Sequence, residues 1–459
     1  MQKVCVQGLG FVGSAMATAV AIASDNYGAL IYDVVGVDLP NKTGQSRVNA
    51  INKGEFPFPI SDDRLLLAVS KAYKNGNLRA TTDQNEYSQA DIVVVDVHLD
   101  IPYLDNEPQL IFTEFVNAIR TIGQKVSPGT LIIIETTVPP GTCEKIVVPT
   151  LHMELKKRQL EPDSVHVAHS YERVMPGDSY LESIVDYWRV FAGYTKKSGN
   201  LCEKFLTNVV NVDEYPLTRL SSMIASETAK VMENTYRATN IAFIDEWTKY
   251  AETVGIDMFE VIEAIKVRPT HSNIRFPGLG VGGYCLTKDP TFAPAASRQL
   301  FNKSIDFPFS KMAVRINHEM PLHTVQRLIS LLGSPLKGRR ILVCGISYRE
   351  GIGDSRFSPS EILVRELLRE GADVSCHDPY LTYWYELEQI LPKKLQSPAD
   401  YSAVIMAVPH KQYRELTLSE WALGAELVLD ANSVFNKDQR NLARMKGIRV
   451  ESIGRGEGL

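Results

Sequence analysis

Three glycines at fixed spacing constrain this chain more than any other feature. Gly8, Gly10 and Gly13 spell G-x-G-x-x-G between a short apolar run at residues 4–7 and a helix-patterned stretch at 11–24. A strand that turns through glycines directly into a helix is the setting a dinucleotide fingerprint requires. The glycines permit the tight turn, close approach of a pyrophosphate, and close helix–strand packing. The helix N-terminus adds free amides and the positive end of its dipole. Asp38 ends the second predicted strand, 34–38. A carboxylate there accepts from a ribose 2′-hydroxyl and repels a 2′-phosphate, which favours NAD over NADP. The glycine-to-Asp38 interval exceeds the usual ~20 residues, and residues 25–30 read as an inserted loop. The plainer alternative is a tight βα turn with no ligand.

The same alternation continues, with strands predicted at 91–97, 131–135 and 165–168. Repeated βα units imply a parallel, doubly wound sheet. The middle differs. Residues 222–254 contain neither Pro nor Gly, which predicts one helix on the order of 50 Å long at ~1.5 Å per residue. Gly255 is placed to stop it, and Asp257 with Glu260 reads as a capping box for the next helix. The βα pattern then restarts, with strands at 340–344, 373–377, 404–408 and 427–430 and a helix at 360–370. The expected fold is α/β: two Rossmann-like doubly wound domains joined by a long central helix. The expected domains are a dinucleotide-binding domain at 1–212, a helical dimerisation domain at 213–320, and a second Rossmann-like domain at 321–459.

The net charge of −5 argues against a nucleic-acid partner, because phosphate-backbone binding needs a basic surface. It leaves room for a nucleotide, which a few amides and cations hold. The stretch 11–24 is too short for a membrane span, which needs ~20 apolar residues. It also follows a strand rather than a basic leader, so neither a membrane partner nor a signal peptide is expected. The six cysteines are scattered without a C-x-x-C pair. That disfavours a disulfide framework or a metal site and suits a reducing cytoplasm. Cys5, Cys344 and Cys376 sit in strand-like contexts and read as core.

The sharpest local signal is F-P-G-L-G-V-G-G-Y-C-L-T-K-D-P at 276–290. Gly278, Gly280, Gly282 and Gly283 allow a backbone loop to approach a ligand closely. Cys285 follows at once, with Lys288 and Asp289 a turn onward. A cation and a helix start both favour a thiolate. The plainer reading is a structural cysteine in a glycine turn. A second signal is Glu227, Lys230, Asn234 and Arg237, spaced for one helix face; its plainer reading is a solvated charged face. Two more lie just past predicted strands: E-T-T-V-P-P-G-T at 135–142 and Y-E-R-V-M-P-G at 171–177. Strand carboxyl ends are where open α/β sheets bind ligands.

Together these motifs resemble the UDP-glucose/UDP-N-acetylhexosamine dehydrogenase family, in order and over nearly the whole chain. The family's G-x-G-x-G-G-x-C-x-x-K-D matches with Cys285, Lys288 and Asp289. Its K-x-x-x-N matches Lys230 and Asn234. Its S/T-T-V-x-P-G-T matches 136–142, with Thr137 as the active-site threonine. Its P-E-R-V-x-P-G, typical of the N-acetylhexosamine branch, matches 172–177, with Tyr171 in place of proline. Its G-x-x-[FY]-K-x-[DG]-x-x-D-x-R-x-S-P resembles 345–359, with Asp354, Arg356, Ser358 and Pro359 kept and Arg349 for lysine. Two departures stand out. The family's V-P-T-P reads Val97-His98-Leu99-Asp100 here. The arginine often found before the glycine loop falls near His271, with Arg268 or Arg275 as substitutes.

The resemblance implies cofactor contacts at Gly8, Gly10, Phe11, Val12, Gly13, Asp38, Val97, Thr137 and Lys288. It implies substrate contacts at Glu172, Arg173, Val174, Lys230, Asn234, Arg237, Arg275, the four loop glycines, Arg349 and Arg356. The expected reaction is a four-electron oxidation of a sugar CH2OH through a thioester on Cys285, with NAD as cofactor and no metal. Lys230 and Asn234 steady the oxyanion, Glu172 handles the hydrolytic water, and Asp289 and Thr137 position water and the reacting oxygen. The expected partner is a UDP-sugar, an N-acetylhexosamine or otherwise glucose, and the chain is expected to form a homodimer or a higher oligomer. A two-electron hydroxyacid dehydrogenase would need no cysteine, and the loop ending in Cys285 speaks against it. A non-catalytic nucleotide-sugar binding protein is the third possibility.

Overall fold

The structure, a computed structural model, describes residues 1–99, 102–104 and 107–456. It divides into two compact units: Met1–Glu233 with Thr291–Asp306, and Asn234–Pro290 with Phe307–Leu459. The segment 213–320 contributes to both.

The first unit is built on strands β1 (Gln2–Gln7), β2 (Tyr32–Val37), β3 (Leu78–Thr81), β4 (Ile92–Val95), β5 (Leu131–Ile134), β6 (His166–His169), β7 (Val190–Gly193) and β8 (Thr218–Arg219). Their order is β8-β7-β6-β5-β4-β1-β2-β3. Pairing is parallel except between β6 and β7. The strands are apolar without alternation, as in Val4-Cys5-Val6, all with no exposure, because both faces are covered. Helix α1 (Phe11–Ile22) covers one face, with Met16 and Val20 in a core with Val6, Val94 and Ile133. Cys5, Val93, Val95 and Ile134 face a second core on the other side. Strand order reverses between β1 and β4, and such a switch point opens a crevice at the strand carboxyl ends. Residues 25–30 form a closed loop between α1 and β2. The Asp25 carboxylate accepts the N–H of Tyr27 and of Ala29, each at 2.9 Å, and Ser24 bridges Leu30.

Helix α2 (Met223–Val254) runs unbroken for 32 residues, about 48 Å at ~1.5 Å per residue. Gly255, at φ +81°, ends it. Asp257 caps helix α3 (Met258–Lys266), accepting the Phe259 N–H at 2.8 Å. The predicted box would use Glu260, one residue further on.

The second unit carries a five-stranded parallel sheet: β9 (Arg340–Cys344), β10 (Asp373–His377), β11 (Ala403–Met406), β12 (Val428–Asp430) and β13 (Val450–Ser452), in the order β10-β9-β11-β12-β13. The first two strands lie where the sequence places them, and Cys344 and Cys376 are buried within them. Pro359 sits in the first turn of the helix Pro359–Arg369, and Ser358 caps it. Proline has no N–H to lose there, and its φ suits the first turn.

Candidate active site

At the carboxyl end of β1 the three glycines do three different jobs. Gly8 adopts φ +91°, where a side chain would be strained. A Cβ on Gly13 would lie 1.8 Å from the Gly8 carbonyl, so this glycine lets helix and strand touch. A Cβ on Gly10 would meet nothing within 4 Å. Gly10 is the N-cap of α1, and no side chain caps that end. Open space beside uncapped helix amides fits a dinucleotide diphosphate, so the residues present fit NAD. Phe11 stacks on Phe58 at 4.0 Å beside this space, and Val12 is half-buried. The Asp38 carboxylate accepts from Leu39 N at 2.7 Å and Leu9 N at 3.2 Å, and pairs with Arg47 at 3.2 Å. It ties the second strand to the glycine turn. Val97 and Thr137 follow the adjacent strands β4 and β5, and Thr136 Oγ1 donates to the Val97 carbonyl at 2.9 Å, pinning the two loops together. Asp100 lies outside the described residues.

Glu172 and Lys230 are brought together. Lys230 Nζ donates to the Glu172 carbonyl at 2.6 Å and lies 3.5 Å from its carboxylate. Both side chains are buried, and Val174 N–H donates to the Glu172 carboxylate. Arg173 turns the other way, onto Glu233 and the Trp188 carbonyl. The face carrying Glu227 is not solvated. Glu227 has no exposure and accepts the Gly141 and Cys143 N–H groups at 2.5 and 2.7 Å. It thereby fastens the P-P-G-T loop to α2, and burial raises its pKa to about 7. His169, sealed against Ser226 Oγ at 2.8 Å, is pushed down to about 3 by burial and by the Lys230 charge. Arg237 is exposed. Glu233 and Ser226 are partners the sequence reading did not single out, although Glu233 precedes Asn234 directly.

A further polar group was missed. Asp96, Glu135 and Arg189 end β4, end β5 and precede β7. Arg189 Nη2 bonds Glu135 Oε1 at 2.6 Å, and both side chains are 2% exposed. Burial, then the Glu135 charge, holds Asp96 well above the usual carboxylate range. Burial also raises Glu135, against the pull of Arg189. Asp96 Oδ2 and Glu135 Oε2 have no other partner among the described residues. Burial of two acids beside one cation thus favours the neutral acid at Asp96.

In the second unit Cys285 is exposed, whereas the other five cysteines are buried. It is the second residue of helix α4 (Tyr284–Lys288), which Gly283 enters at φ +78°. The loop glycines lie against protein. A Cβ on Gly278 would meet Asn432, on Gly280 Pro359 and Pro321, and on Gly282 and Gly283 the Tyr348 side chain, all within 3.4 Å. Their freedom is used for packing the loop onto its own unit. Asp289 is fully buried, accepting Asn234 Nδ2 at 2.7 Å and pairing with Lys288 at 3.2 Å. This joins three predicted residues. Arg356 pairs with Asp354 at 2.6 Å and lies 4.7 Å over the Tyr284 ring, next to Cys285 in sequence. Arg349 is half-buried. Arg275, Gly278 and Gly280 line a cleft of ≈660 Å³ with Phe276, Asn432 and Arg455. No His/Cys/Asp/Glu cluster among the described residues is suited to a metal.

Three models of the UDP-glucose/GDP-mannose dehydrogenase family match: the NAD binding domain over residues 2–209, the central domain over 225–319, and the UDP binding domain over 342–437. A UDP-N-acetyl-D-mannosamine dehydrogenase of Methanocaldococcus jannaschii is 30% identical over 99% of this chain and 97% of its own. The structure of a UDP-D-ManNAc dehydrogenase from Pyrococcus horikoshii superposes with TM-score 0.81 at 26% identity, covering 99% of this chain and 100% of that one. A UDP-glucose dehydrogenase from Pyrobaculum islandicum has the same fold, with TM-score 0.79 at 24% identity over 99% and 98% of the two chains. The chain therefore belongs to the UDP-glucose/GDP-mannose dehydrogenase family and is an NAD-dependent nucleotide-sugar dehydrogenase.

Proposed function

We propose that this chain oxidises the C6 hydroxymethyl of a UDP-N-acetylhexosamine to the carboxylate through a thioester on Cys285. The observation that carries this reading is the exposure of Cys285 at a glycine-entered helix start, when every other cysteine is buried. The N-acetylhexosamine assignment rests on the E-R-V-x-P-G sequence and on relatives such as the one from M. jannaschii.

Loss of two hydrides takes CH2OH to the acid with one water consumed. NAD, when bound, supplies the hydride acceptor for each step. Between the steps the Cys285 sulfur adds to the aldehyde carbon, and the resulting thiohemiacetal holds the intermediate on the protein. Loss of the second hydride leaves a thioester. Water then adds at that carbon, the C–S bond breaks, and the thiol leaves with the acid formed. Lys230 and Asn234 donate to the oxyanion that develops at each addition. Glu172 takes the water proton, and Asp289 and Thr137 position water and the reacting oxygen. The loop at 278–283 wraps the sugar beside the cleft that Arg275, Gly278 and Gly280 line, and Arg356 meets the substrate's phosphate or sugar.

We further propose a homodimer built on α2. Tyr236, Phe243, Trp247, Tyr250 and Val254 are each 44–55% exposed at intervals of three, four and seven, so they share one stripe. A row of aromatics of this kind suits a second copy across a two-fold axis. An exposed cysteine that must remain a thiol suits a reducing cytoplasm.

The test is NADH release over a panel of UDP-sugars, followed by Cys285→Ala. The native enzyme gives two NADH per sugar. The variant gives at most one, with any aldehyde trappable by a hydrazine. Near-native acid production by Cys285→Ala overturns the thioester, and turnover of UDP-glucose in place of the N-acetylhexosamines overturns the sugar assignment.

A further inference from the structure

The loop that leaves β9 is gripped from both sides. In the sheet β9 lies between β10 and β11, and one buried side chain from beyond each neighbour reaches this loop. Asp378, directly after β10, accepts the Ile346 N–H at 2.8 Å, the Ser347 N–H at 2.9 Å and the Ser347 hydroxyl at 3.0 Å. That fixes the root of the loop. His410, just past β11, has no exposure, and both of its ring nitrogens are used. Nε2 lies 3.2 Å from Asp378 Oδ2, and Nδ1 lies 3.2 Å from the Gly351 nitrogen. A backbone N–H can only donate, so Nδ1 is the acceptor and Nε2 carries the hydrogen that meets the carboxylate. The rings of Tyr380 and Tyr413 pack against the imidazole at 5.1 and 5.7 Å.

The bond to Gly351 holds the loop far from its root. Gly351 is buried at φ +74°, within a turn closed by the Tyr348 N–H donating to the Asp354 carbonyl at 2.8 Å. One end of this turn backs the glycine loop: the Tyr348 side chain lies 2.7 Å from a Cβ placed on Gly282 and 2.8 Å from one on Gly283. The other end delivers Arg356, through its pair with Asp354. The bonds of Asp378 to the loop stop at Ser347, so they do not fix this turn. A buried N–H that loses its acceptor pays the full cost of desolvation, and the turn then relaxes toward water.

We propose that His410 is a positioning residue for the UDP-sugar. By accepting the Gly351 N–H it keeps the 348–354 turn, and with it Arg356, in the binding geometry, while Asp378 orients its ring. The proposal rests on the role given to Arg356 above.

The experiment uses the full-length chain with His410→Asn and His410→Gln. Asparagine places its amide oxygen near Nδ1 and keeps an acceptor for Gly351. Glutamine reaches the Nε2 position and keeps a donor for Asp378. Each variant loses one buried bond, so their melting temperatures should lie within about 2 °C of each other. Affinity for UDP-N-acetyl-D-mannosamine, measured by calorimetry without turnover, should separate them. The glutamine chain should bind about tenfold more weakly than the native chain, and the asparagine chain within about twofold of it. KM should follow affinity, with kcat changed less than about threefold. If the glutamine chain does not fold, His410→Met, which loses both bonds, takes its place. An asparagine chain that loses as much affinity as the glutamine chain, or native affinity in both, overturns the proposal. A native chain that binds UDP yet releases no NADH from any UDP-sugar sinks the functional reading instead, and the affinity of the variants for UDP then decides the role of His410.

Discussion

Two buried groups on the α2 side of the first sheet are held out of their ordinary protonation states, in opposite senses. Glu227 is raised from 4.5 to about 7. The stability it contributes is therefore fully present below 4.5 and is lost as pH rises through 7. His169 is lowered from 6.5 to about 3. Its contribution is present above 6.5 and is lost as pH falls toward 3. Between 4.5 and 6.5 the two slopes oppose, each about 1.4 kcal/mol per pH unit. Glu227→Gln should therefore gain on the native chain as pH rises from 4.5 to 7, and His169→Gln should gain as pH falls from 6.5. Urea unfolding at a series of pH values reads both; parallel curves for native and variant would refute the buried titrations. Neither shift was legible in the sequence. The helix spacing put Glu227 on the same face as Lys230, but spacing does not say whether a face meets water or a proline loop.

At the scale of the element, what could be read depended on whether the signal was local. Apolar runs between turn residues gave the central strands, and a 32-residue stretch without Pro or Gly gave α2. Strands β7 and β8 escaped notice. Thr218–Arg219 is a two-residue exposed edge, and nothing in Val190–Gly193 announces that it runs antiparallel. The candidate site was legible in its loops, where glycine and proline punctuate, and not in the partners supplied by distant segments. The glycines differ in what lies against them. Gly10 faces open space, whereas Gly13 and the loop at 278–283 touch protein. This makes a sharp prediction. Gly10→Ala should leave the melting temperature within about 2 °C while weakening NAD binding at least tenfold. Gly13→Ala meets a backbone carbonyl and should be destabilised by about 2 kcal/mol or more. Calorimetry and NADH fluorescence titration separate the two, and equal melting temperatures would sink the distinction.

On the scale of the whole molecule, the aromatic stripe of α2 makes assembly measurable. Trp247→Glu together with Tyr250→Glu should turn a dimer into a monomer in light scattering at micromolar concentration, because like charges would face each other across a two-fold axis. A native chain that is monomeric and fully active would overturn the dimer. The other long-range device is the group formed by Asp96, Glu135 and Arg189, which gathers three points of the chain separated by dozens of residues. Removing the cation alone leaves two enclosed acids, so Arg189→Met should lose about 3–5 kcal/mol. Replacing all three with apolar residues of similar volume should lose far less, since a buried charge group is often exchangeable as a whole. Loss of Arg189 alone would thus be costly, and a joint replacement tolerated. In descent the three codons then behave as one inherited character, and lineages that diverge from this chain should keep all three or have changed all three.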